Sequence, residues 1–150
     1  MKNVPRGLLI AILIGMMAGL VVGFFENFQY NHEQLVFQEG SSISIVTEKT
    51  DFELGEQIHI KIINSGTITL TFPDASYGLK VTGLDGTPYY IPMAAQVIST
   101  LEPKEEKTFV WEQKKMDGSD SLEGIYKIVV EGFDYENNKV KKSIVINLLK

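Results

Sequence analysis

From Ser42 to Lys150, apolar residues recur at every second position in seven short stretches. A period of two puts one set of side chains on one face of an extended strand and the next set on the other, which a helix cannot do. In "QIHIKII", Ile58, Ile60 and Ile62 face one way, and His59 and Lys61 the other. "SISIV" alternates Ile43 and Ile45 with serines, and "TITLTF" alternates Ile68, Leu70 and Phe72 with threonines. "YGLKVTGL" places Leu79 and Val81 together, and "KTFVWE" does so with Phe109 and Trp111. "IYKIVVEGF" aligns Tyr126, Ile128 and Val130, and "KKSIVINLL" aligns Ile144, Ile146 and Leu148.

Turn residues separate these stretches. Asn64-Ser65-Gly66 reads as a tight hairpin between two strong strands. Asp85-Gly86, Asp117-Gly118 and Asn137-Asn138 are further turn pairs, the last tolerating positive φ. No amphipathic helix follows residue 42. The expected fold is an all-β, antiparallel β-sandwich of about seven strands, with Trp111 the largest part of its core. The chain has no cysteine, so this core must stand without disulfides, and thiolate metal sites and cysteine nucleophiles are excluded.

The first 25 residues obey a different rule. Residues 7–25, "GLLIAILIGMMAGLVVGFF", contain no charge, and eleven of the nineteen are Leu, Ile, Val or Phe. As a helix they would extend ~28 Å, close to the ~30 Å of a bilayer's hydrocarbon layer. Lys2 and Arg6 precede the run and Glu26 follows it. The positive-inside rule then places residues 1–6 in the cytoplasm, a transmembrane helix at 7–25, a linker at 26–41 and the sandwich, 42–150, outside. An uncleaved signal anchor is the leading reading, and a cleaved secretory signal is the alternative; the run is long for a signal peptide and no A-x-A site follows it.

Small residues mark every fourth position of the run: Gly7, Ala11, Gly15, Gly19 and Gly23. This spacing lets helix backbones approach closely, so a homodimer or another membrane helix is an expected partner. Glycine is also common in membrane helices generally. The short basic leader ending in Arg6-Gly7 resembles the processing site of type IV pilin precursors, which implies a filament subunit as one alternative function.

Three motifs carry a second resemblance. "IINSGTITLTF", "LEPKEEKTFVWEQ" and "EGIYKIVVEG", in this order, are similar to strands of the domain family named after the Bacillus intracellular proteinase inhibitor. The resemblance covers about residues 43–148 and implies a small immunoglobulin-like sandwich. It departs at one turn, where the family pattern P-G-E is Pro103-Lys104-Glu105 here. The family's name implies protease inhibition as another alternative, but no inhibitory residue carries over. Within "EGIY", Tyr126 is expected to bond back to the backbone of the preceding loop as a tyrosine corner.

The remaining chemistry is sparse. His32 and His59 have no triad or metal partner in sequence, and no nucleophile elbow, phosphate loop or zinc pattern occurs. No cofactor and no enzymatic activity are expected. From Glu26 onward 12 lysines face 19 Asp and Glu, a net of −7, which disfavours nucleic acid as a partner. Asp117, Asp120 and Glu123 crowd one loop without the spacing of a calcium loop, and read as a solvated acidic segment. "TPYYIPM" places Tyr89, Tyr90, Ile91 and Met93 in an expected crossover, either capping the sandwich or forming a patch for a protein partner.

Overall fold

The computed structural model describes residues 15–17 and 37–150. The chain divides into two units, Met1–Leu35 and Val36–Lys150. Of the first, only the helical residues 15–17 are described. The expected membrane helix therefore lies almost wholly outside the described residues, as do Gly7, Ala11, Gly19 and Gly23. No helix among the described residues is long and apolar enough to cross a membrane.

The second unit is all β, with ten strands. They are β1 (Ile43–Val46), β2 (Asp51–Glu53), β3 (Ile58–Asn64), β4 (Leu70–Phe72) and β5 (Lys80–Thr82), then β6 (Pro88–Tyr90), β7 (Ser99–Leu101), β8 (Glu106–Trp111), β9 (Gly124–Phe133) and β10 (Lys139–Leu149). One sheet is antiparallel with the order β1-β3-β8, and the other runs β2-β10-β9-β4-β7, with the β5–β6 hairpin joined to β9. The alternating residues of the two sheets enter one core. Ile58, Ile60, Ile62 and Trp111 of the first sheet meet Phe72, Val81, Ile128, Val130 and Ile146 of the second, all fully buried. Burying a large aliphatic side chain stabilises by roughly 1.5–3 kcal/mol, so this shared layer holds the unit together without disulfides.

Three expectations are corrected. The strands number ten among the described residues, not about seven: β2, β6 and β7 have three residues each, too short for alternation to reveal, and exist because β10, β5 and β4 pair with them. The pairing is not wholly antiparallel, because β2 lies parallel to β10, with Asp51 opposite Asn147. Asn64-Ser65-Gly66 does not close a hairpin: β3 belongs to the first sheet and β4 to the second, so this turn carries the chain between layers.

The side chain of Asn64 explains the crossing. Its Nδ2 donates to the carbonyls of Ile68 and Leu101, both at 2.8 Å, and its Oδ1 accepts from Gly66 N at 3.0 Å. Fully buried, it satisfies backbone groups that neither sheet can pair. Gly66 is required by close approach, since a Cβ there would lie 2.2 Å from the Gly40 carbonyl oxygen. The other turns form as expected. Asp85-Gly86 joins β5 to β6, and Asn137, at φ 63°, turns β9 into β10.

Candidate functional site

The "TPYYIPM" segment divides on inspection. Pro88, Tyr89 and Tyr90 form β6, whose Tyr90 pairs with Val81 of β5. The Tyr90 ring stacks on the buried Trp111 at 6.0 Å and 25°. Tyr89 meets Tyr126 edge-on at 5.4 Å, and Tyr126 meets Trp111 at 5.7 Å. The two tyrosines thus cover the core at one side as a layer of four aromatic rings, an arrangement worth ~0.5–1.5 kcal/mol per pair beyond area. Burial, and then the charge of Glu112, push the Tyr90 hydroxyl above its ordinary value. Ile91 and Met93 point away from this layer; Met93 is fully exposed.

The loop after β8 is tied to the same layer. Trp111 Nε1 donates to the Lys114 carbonyl at 2.9 Å, and Met116 N donates to the Tyr89 carbonyl at 2.8 Å. Tyr126 Oη donates to the Leu122 carbonyl at 2.8 Å, the expected tyrosine corner. Burial pushes the Tyr126 hydroxyl up. Gln113 is buried and bonds the carbonyls of Glu53 and Glu56 through Nε2 while accepting from Gly55 N, so the loop is anchored at both ends.

The acidic loop uses the carboxylates of Asp117 and Asp120 internally. Asp117 Oδ1 accepts from the Ser119 hydroxyl and backbone N, which hold its carboxyl below the usual range. Asp120 pairs with Lys114. Among the described residues no three His, Asp or Glu groups converge as a metal site. His59 sits half-exposed on the outer face of β3, with Nδ1 3.4 Å from Glu48 Oε1. Of the small-residue stripe, Gly15 alone is described; it is helical, with nothing within 4 Å of where a Cβ would stand.

Two features escaped the sequence reading. Val97 and Ile98 are exposed just before β7, and the outer face of the second sheet gathers lysines from three strands. The first carried no signal, because apolar residues in a loop have no period. The second was present in the alternation of β9 and β10, but their pairing with β5 is a tertiary fact.

No family model matches this chain, and no curated protein matches it. The resemblance to the proteinase-inhibitor family therefore stands on the three quoted motifs. Among solved structures, the sporulation control protein Spo0M of Bacillus subtilis aligns at 14% identity and a TM-score of 0.43, over 73% of this chain and 49% of that one. A β-glucosidase of Listeria innocua in complex with glucose aligns at 13% identity and a TM-score of 0.35, over 73% of this chain and 16% of the glucosidase. The chain thus spans about half of the first protein and about a sixth of the second.

Proposed function

We propose that residues 42–150 are an immunoglobulin-like β-sandwich, held by a membrane helix at residues 7–25, that serves outside the cytoplasm as a binding or structural module at the cell surface. The observation that carries this reading is the charge-free apolar run, bracketed by Lys2 and Arg6 on one side and Glu26 on the other. Two sheets around one cysteine-free core, and the three motifs similar to immunoglobulin-like bacterial modules, support the sandwich. Among the described residues His59 is paired with Glu48 and Asp120 with Lys114, and Asp117 is spent in its own turn, which supports recognition over catalysis.

Alkaline extraction of membranes, followed by protease treatment of intact cells, tests the proposal. The full-length chain should resist extraction, and external protease should remove a C-terminal epitope. Recovery in the soluble fraction, or an epitope digested only after permeabilisation, overturns it. A mature N-terminus at Leu8 would favour the pilin-like alternative instead, and inhibition of serine proteases by the protein would favour the inhibitor.

A further inference from the structure

The even-numbered residues of β9 and most of those of β10 face the core, so the odd-numbered ones line the outer face of the second sheet. There Lys127 and Glu131 lie on β9, Lys139 and Lys141 on β10, and Lys80 joins from β5, opposite Val129. Three lysines thus lie around Glu131, with Lys127 four residues away along β9, in a chain whose residues from Glu26 onward carry a net −7. Lys139 Nζ is 2.8 Å from Glu131 Oε1. That bond and the fields of Lys139, Lys80 and Lys141 hold the Glu131 carboxyl below the usual range. One is neutralised and three remain. The acids of β2, Asp51 and Glu53, stand opposite Asn147 and Leu149 at the far end of β10.

At one end this face opens into a groove of ≈ 300 Å³ lined by Thr71, Pro73, Ile98, Phe133 and Tyr135, among others. Phe133 is the cross-strand neighbour of Lys139, so groove and lysines are continuous. Tyr135 is 73% exposed and Ile98 72%. The turn that presents Tyr135 is fixed by Asp134, whose Oδ1 accepts from Glu136 N at 3.0 Å and Asn138 N at 2.8 Å, while Oδ2 accepts from Ser41 Oγ at 3.0 Å. Burial pushes the Asp134 carboxyl up, and these bonds outweigh it, leaving the group below its ordinary value.

We propose that this face binds an acidic polysaccharide, with a sugar ring against Tyr135 in the groove and its acid groups on Lys80, Lys127, Lys139 and Lys141. The C–H face of a pyranose packs on a flat exposed aromatic ring, and Asn137, which also lines the groove, offers polar atoms to its hydroxyls. Lys139 and Lys141 lie two residues apart on β10, ~6.8 Å, while Lys80 stands opposite Val129 and Lys127 opposite Val145, so the cations are spread along the face as suits a repeating anion rather than a single one. Screening over ~8 Å at physiological salt confines a bound polymer to the field of this face and hides the acids of the other sheet. A fixed turn also lowers the ordering cost of binding. The inference rests on the binding-module reading but not on the membrane anchor, so fractionation and binding experiments fail separately.

The test uses the full chain in non-ionic detergent, titrated with polygalacturonate, neutral dextran, inorganic polyphosphate and phosphatidylglycerol vesicles. Polygalacturonate should bind and weaken as salt rises, and dextran should not bind. Lys80→Gln with Lys141→Gln should weaken polygalacturonate about tenfold, with an unchanged melting curve. Tyr135→Ser should weaken polygalacturonate about threefold and leave polyphosphate unchanged, since polyphosphate has no ring to stack. Absence of polygalacturonate binding overturns the proposal, as does indifference to the lysine pair or an equal effect of Tyr135→Ser on both polyanions. Preference for the vesicles over polygalacturonate assigns the face to lipid and overturns it as well.

Discussion

Lys104 holds a left-handed backbone at φ 70°, in the turn between β7 and β8 where the resembled pattern has glycine. Its N donates to the Asn64 carbonyl at 2.9 Å, and Glu105 N donates to the Glu102 carbonyl, so the turn is fixed from both sides. A side chain in this region costs roughly 1–2 kcal/mol, while glycine costs roughly 0.5–1 kcal/mol in chain entropy. Lys104→Gly should therefore stabilise by up to about 1 kcal/mol in urea unfolding, and Lys104→Val should destabilise. Gly78 is the converse case: at φ 64°, a Cβ would sit 1.9 Å from the Glu131 carbonyl oxygen, so Gly78→Ala should prevent the 73–79 loop from seating on β9. The carboxylates act with one sign. The Lys139 bond lowers Glu131, and the Ser119 bonds lower Asp117, below their unfolded values. Their stabilisation is complete above the ordinary carboxylate range and fades as pH falls through it, because the unfolded chain takes up protons first. Melting temperature should fall below about pH 4.5, and Glu131→Gln should flatten that slope.

At the scale of elements, the long strands were legible and the short ones were not. β3, β9 and β10 alternate over seven to eleven residues, so their faces could be read directly. β2, β6 and β7 borrow their conformation from β10, β5 and β4, partners that no local pattern names. The same limit applies to the turn at Asn64, whose residues suit a hairpin but whose side chain bonds β7's end. Trp111 and the tyrosine corner were foreseen because bulk and an E-G-I-Y turn are written locally. Among the candidate patch residues, Tyr89 and Tyr90 sit in the aromatic layer while Ile91 and Met93 do not, a division that depends on where β6 docks. Tyr126→Phe removes the bond to Leu122 and should cost about 1 kcal/mol in urea unfolding. Amide exchange in residues 113–122 should quicken in the same variant. Tyr89→Ser with Tyr90→Ser should lower the melting temperature by more than Tyr126→Phe does, since two rings leave the core's cover.

For the whole molecule, the absence of cysteine makes the core the sole staple, so a reductant should leave the melting temperature of the full chain unmoved. The lysine face became visible only at this scale, because its residues come from stretches near positions 80, 127 and 140. Their charges look scattered in a sequence that is acidic on balance, and only the pairing of β5, β9 and β10 gathers them. One consequence follows from the place of β10, which is last among the ten strands yet lies between β2 and β9. During translation, Asp51–Glu53 must wait for Asn147–Leu149 to emerge before it has a partner. Interrupted products would carry two raw edges and no closed layer, and should be cleared by cellular proteases rather than accumulate as half-built intermediates.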